Sequence, residues 1–143
     1  MEKGFLSLIL HAHLPFVRHP EHDSFLEERW FFEALTETYL PLLERLQRVA
    51  NDAKPFRITM SFTPTLLAML GDPFLQGRYI RHLDHLVDLS AKEIERTRWQ
   101  PLFQRLALFY HHRFTAARQQ FVDSHHRNIL PACRALMDAG ALE

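Results

Sequence analysis

The residues best placed to do chemistry are His11 and His13, which flank Ala12 directly after a short apolar run. In extended chain, positions two apart share one side, with Cα atoms about 6.5–7 Å apart. The two imidazoles then project together from the end of a strand, and Leu14-Pro15 stiffens the exit. In parallel α/β sheets and barrels, the carboxyl end of a strand is where ligands bind. Neutral imidazole donates at one nitrogen and accepts at the other, so the pair suits sugar hydroxyls as well as metal ions.

A sheet must hold these histidines. Phe5 to Leu10 is a continuous apolar run, the pattern of a strand buried on both faces of a parallel sheet. Pro15 to Asp23 is polar, carries two prolines and reads as a loop. Ser24 opens a helix, with Glu27 at capping-box spacing. Leu26, Trp30, Phe31, Leu35, Leu42, Leu43, Leu46 and Val49 keep a helical period as far as Ala50, with Pro41 marking a kink or the first turn of a second helix. Phe56 to Phe62, rich in β-branched and aromatic residues, is the second strand, ended by Thr63-Pro64. Strand, helix, strand predicts a parallel pair.

From Pro64 onward the pattern is helical. Leu66 to Leu70 is a short helix stopped by Gly71; Tyr79 to Ile94 and Leu102 to Phe121 mark two longer ones. Ile129 to Met137 is a last helix, closed by Gly140 in the cap position. The fold class is therefore α/β, two parallel strands plus a predominantly helical remainder. Such a sheet has open edges and apolar faces and does not close on itself. A third strand is expected to begin at Ala141-Leu142-Glu143, leaving strand two with an unpaired edge beside an exposed apolar patch. The competing layout is a compact helical domain with a two-stranded appendage.

Composition narrows the function classes. Seventeen basic and seventeen acidic residues cancel, so no net field favours nucleic acid or an anionic membrane. Cys133 is the single cysteine, which excludes an internal disulfide and makes a reducing cytoplasm the expected compartment. The opening apolar run is too short for a secretory signal or a membrane span.

His11-Ala12-His13-Leu14-Pro15-Phe16 resembles the first signature motif of glycoside hydrolase family 57. The likeness continues through Val17 to Glu21 into Leu26-Glu27-Glu28, Trp30, Phe32-Glu33-Ala34 and Thr36 to Tyr39, then Pro41-Leu42-Leu43 and Thr63-Pro64. That longer pattern is similar to the 1,4-α-glucan branching enzymes of the family. It covers residues 4 to 70 well and the rest loosely. The resemblance implies an incomplete seven-stranded (β/α)7, TIM-like barrel, with residues 1–70 supplying its first two strands and helices. Residues 71–143 are then a helical segment inserted in or packed on the barrel, the remainder of which is missing.

It also implies retaining chemistry on an α-glucan in glycogen or starch metabolism, by a Glu nucleophile and an Asp acid/base. A branching enzyme cleaves an α-1,4 link and transfers the released segment to a 6-hydroxyl. By the same resemblance, His11 and His13 contact the sugar at the cleavage point and Trp30 lies near that cleft. An indole at helix spacing beside Leu26 is equally the pattern of plain core. Retaining transfer needs two carboxyls about 5–5.5 Å apart, and neither strand end here offers one. No catalytic residue is therefore assigned in this chain, which alone is expected to be inactive; no metal or cofactor is expected.

The remaining candidates have structural readings. Glu27 caps its helix, while Glu28, Glu33 and Glu37 face solvent or loops, and Glu21 and Asp23 are loop acids near the cleft mouth. His82 and His85 fall off the apolar stripe onto a solvated face. His111-His112 and His125-His126 point apart, and Cys133 is a buried small residue. Two other functions stay open. One is a metal-dependent barrel hydrolase with His11 and His13 as zinc ligands. The other is a non-catalytic helical interaction module from 64–140, whose aromatic stripe (Phe103, Phe109, Phe114) would be internally buried.

Overall fold

The computed structural model describes residue 4, residues 6–52 and residues 56–143. Two short strands, β1 (Ile9–Ala12) and β2 (Thr59–Phe62), pair in parallel with Ile9 opposite Thr59 and His11 opposite Ser61. Both start later than the apolar runs predict. Leu6, Ser7 and Leu8 precede β1 as exposed coil, and Phe5 lies outside the described residues. The ladder sets the limit, because β2 supplies partners only from Thr59, whose amide donates to the Leu8 carbonyl at 3.2 Å. Burial on both faces is not realised either: Ile9 is 72% exposed.

The connection between the strands is one long helical run. It comprises α1 (Glu28–Ala34), a π-helical turn (Leu35–Tyr39) and α2 (Leu40–Asn51). The expected capping box does not form. The helix begins at Glu28 rather than at Ser24, and Glu27 makes no side-chain cap bond. Leu26, expected on the apolar stripe, is exposed. Pro41 in the first turn of α2 explains the wide turn. Proline has no amide to donate and its ring crowds the carbonyl four residues back. The Leu40 amide accordingly reaches the Leu35 carbonyl five residues earlier. Within this turn Thr36 Oγ1 donates to the Phe32 carbonyl and shares a hydrogen bond with the Tyr79 hydroxyl, both 2.9 Å. Burial raises the Tyr79 phenol far above its ordinary range.

After β2 come α3 (Pro64–Leu70), α4 (Pro73–Arg96), α5 (Pro101–Gln119), a second π-helical turn (Gln120–Ser124) and α6 (Leu130–Asp138). Gly140 takes a left-handed φ of 71° beyond α6, where a Cβ would be strained. Residues 141–143 then run beside β2. Ile58 pairs in parallel with Leu142, and the Met60 amide donates to the Glu143 carbonyl at 2.8 Å. The expectation of an unpaired edge on strand two is thus corrected. β2 lies between β1 and residues 141–143, because the turn at Gly140 brings the chain straight back alongside it.

One apolar core draws on both sides of residue 70. Phe31, Leu35 and Leu40 meet Leu66, Met69, Leu75, Tyr79 and Leu83, all buried. Beyond this core, α4 and α5 form an antiparallel hairpin joined by Ser90 Oγ and His111 Nδ1 at 3.0 Å and by Arg118 with Asp84 at 2.5 Å. The aromatic stripe of α5 is not buried: Phe103 and Phe109 are each 56% exposed. A self-contained helical module would have covered them. No helix among the described residues is long and apolar enough to cross a membrane.

Candidate functional site

His11 stands inside β1 rather than after it, and His13 lies one residue past its end. Strand alternation puts both on one side, as the spacing predicts. Their rings stack with centroids 6.0 Å apart and planes 7° from parallel, and both residues are exposed. Ser61, the ladder partner of His11, fixes that ring through a 2.6 Å hydrogen bond between Oγ and Nδ1. With Nδ1 engaged, Nε2 of His11 is the nitrogen left for a ligand. The in-plane lone pairs of two stacked rings run side by side and do not converge on one point. Among the described residues, no three His, Cys, Asp or Glu gather in a geometry that would hold a metal ion.

The rim continues in hydroxyls. The Thr63 amide extends the ladder to the Ala12 carbonyl at 3.1 Å, and Thr65 Oγ1 donates to the Leu14 carbonyl at 3.1 Å. Thr63 and Thr65 share a further bond at 3.2 Å. These links tie the two strand exits together directly behind the imidazoles. A groove of about 480 Å³ runs along β1, with His11, His13, Glu37, Thr38 and Arg45 in its walls. Glu37 brings one carboxylate there. Trp30 does not line this groove; it stands on α1 at 50% exposure, so it is not plain core.

The loop that leaves the histidines is pinned by a side-chain cluster that sequence reasoning missed. Glu28, expected to face solvent or loops, is 1% exposed and ion-paired to Arg78. Arg78 also donates to the carbonyls of His19 and His22 and packs its guanidinium over Phe74, 4.3 Å from the ring centroid. Arg18 bonds Asp72 at 2.5 Å, while Asp72 caps α4 by accepting from the Phe74 amide at 2.8 Å. Phe25 lies between the His19 and His22 rings, at 3.8 and 5.0 Å. The available signal was Arg78 itself, one residue before Tyr79 on an apolar helix face, since a buried arginine requires a carboxylate. Ser61 carried no such signal, because the register that sets it beside His11 is known only from the ladder itself.

The other candidates separate. His82, expected on a solvated face, is half-buried with its ring 5.1 Å from Phe32. Burial lowers its pKa, helped by Arg29 and His85. Burial likewise lowers His125, with His126 adding to it. Cys133 is half-buried and its thiol is pushed up to about 11, a poor nucleophile at neutral pH.

Comparison with known proteins adds to this geometry. The family described as Glycosyl hydrolase family 57 matches residues 7–143. The crystal structure of the alpha-amylase AmyC from Thermotoga maritima superposes with a TM-score of 0.88 at 46% identity, over 96% of this chain and 26% of that one. A GH57-type branching enzyme from Pyrococcus horikoshii gives 0.89 at 30% identity, over 99% and 26%. A 1,4-alpha-glucan branching enzyme of Thermococcus kodakarensis is 32% identical over 93 residues, which is 65% of this chain and 14% of that protein. The chain thus spans about a quarter of the solved relatives it matches.

Proposed function

Because this chain belongs to Glycosyl hydrolase family 57, we propose that it supplies the first sugar-contacting wall of an α-glucan-active site. In this reading β1 and β2 are the first strands of a (β/α)7, TIM-like barrel. Residues 1–70 supply the first strands and helices, and residues 71–143 pack on them. His11 and His13 hydrogen-bond the hydroxyls of the glucosyl unit at the cleavage point, and Trp30 offers an indole face to a neighbouring unit. The carrying observation is the stacked imidazole pair at the carboxyl end of a parallel sheet, braced by Ser61. Side-by-side lone pairs match adjacent hydroxyls of one pyranose better than they match a single zinc ion.

The reaction proposed is cleavage of an α-1,4 link with retention and transfer to a 6-hydroxyl, in a cytoplasmic glycogen pathway. Retention needs two carboxyls about 5–5.5 Å apart. Glu37 is a single carboxylate in the His11/His13 groove and takes no catalytic role in this reading, so the chain alone supplies no such pair and turns over no glucan. Plain hydrolysis is the second reading, favoured by the 46% identity to the Thermotoga maritima alpha-amylase AmyC.

A graft tests both. This chain replaces the corresponding quarter of the Thermotoga maritima enzyme, and amylose consumption is measured with and without His11→Ala. Loss of a transition-state hydrogen bond of this kind costs about 10²–10³ in kcat. An unchanged rate in the variant removes the sugar-contact role. New α-1,6 links in the product distinguish transfer from hydrolysis.

A further inference from the structure

We propose that the cleft where α4 leaves the core is a second saccharide-binding site, which takes a linear α-1,4-glucan chain through paired carboxylate, guanidinium and imidazole contacts. The choice of glucan rests on the α-glucan reading given above; the cleft itself does not. It measures about 580 Å³ and lies between the α1/π-turn face and the α4–α5 hairpin. Arg29 and Glu33 line one wall, one helix turn apart, with Glu37 a turn further on where it is shared with the groove at His11 and His13; His82 and His85 line the other.

Three observations point to a ligand. First, Arg29 and Glu33 are four apart on one helix, the spacing at which such residues commonly pair. Yet Arg29, Glu33 and Glu37 form no ion pair among the described residues, while four exposed pairs elsewhere on the chain do close at three- or four-residue spacing. The cleft-lining charges are thus left with free hydrogen-bonding capacity. Second, the floor is apolar: Leu86, Leu89 and Phe114 line the same cleft. Carboxylates that accept from vicinal hydroxyls, a guanidinium that donates, and an aromatic or aliphatic floor for the pyranose face are together the chemistry of sugar recognition. Third, the cleft lies between packed helices, one of the places where ligand pockets preferentially form. With burial holding its pKa low, His82 is neutral at pH 7 and able both to donate and to accept.

The test is an amide NMR titration of the ¹⁵N-labelled 143-residue chain with maltohexaose. Glu33→Gln and Phe114→Ala are the variants, since both residues line this cleft and neither lines the groove at His11 and His13. Saturable shifts are expected at residues 29–36, 82–89 and 114, with the midpoint raised about tenfold by Glu33→Gln, the loss of one charge-assisted hydrogen bond. Phe114→Ala should raise it in the same direction. A thermal midpoint within about 2 °C of the parent certifies each variant as folded.

Shifts confined to residues 11–13 and 61 overturn the second site and leave the rim standing. Shifts confined to the cleft do the reverse. Absence of shifts at residues 29–36 and 82–89, or a midpoint untouched by both variants, overturns the assignment.

Discussion

Along its first turns α4 is closed off from water. Leu75, Tyr79 and Leu83 are fully buried, and Arg78 between them has its charge met by Glu28 and two loop carbonyls. From Leu89 onward, the end of α4, the turn after it and α5 leave Leu89, Trp99, Leu102, Phe103 and Phe109 exposed. Both halves use the same apolar alphabet. The difference is in supply: the first half finds α1, α3 and the 15–23 loop to pack on, whereas among the described residues the hairpin has only its own two helices. Apolar period therefore reports that a face expects cover. It does not report whether the cover lies in the same stretch of chain.

Mutation of the two halves should separate them widely. Arg78→Ala leaves Glu28 as a buried, unpaired carboxylate and frees the His19 and His22 carbonyls. We expect a loss of about 3–5 kcal/mol in urea unfolding, and a loss below about 1 kcal/mol would show that the cluster does not hold the loop. A smaller effect should come from pH. Burial, with Arg29 and His85 adding, sets the folded pKa of His82 below the ordinary imidazole value near 6.5. The unfolded chain then binds the proton first, so stability is complete above about pH 6.5 and falls as pH drops toward the folded pKa. His82→Leu should flatten part of the decline in urea midpoint between pH 7.5 and 5.5, with His125 carrying a further share. An unaltered slope would remove His82 from the account. Phe103→Ser, at the far end, should change stability by no more than about 0.5 kcal/mol. A clear loss there would mean that something covers the hairpin in solution.

Much of the arrangement was legible because it depends on short-range rules. The parity of His11 and His13 put both rings on one side, Gly140 marked the end of α6, and strand-helix-strand order gave the parallel pair. What was not legible depends on partners distant in sequence. Phe5 to Leu10 has the composition of a strand, but its ladder begins only where Thr59 is available. Glu28 and Arg78 are 50 residues apart: Arg78 on an apolar face signals that a carboxylate is needed, but nothing local says which one. Ser24 and Glu27 show the opposite failure: a local capping signal is present and unused, and the helix takes Glu28, whose carboxylate meets Arg78, as its first residue.

The pairing of Ile58 with Leu142 has a consequence for how the sheet comes together. Its three segments lie side by side in the order in which a ribosome would release them: Ile9–Ala12, then Thr59–Phe62, then 141–143. Each new segment finds its neighbour already made, with no later insertion between existing ones. Both pairings still join residues far apart in sequence, so each addition carries the loop-closure cost that makes parallel sheets slow to form.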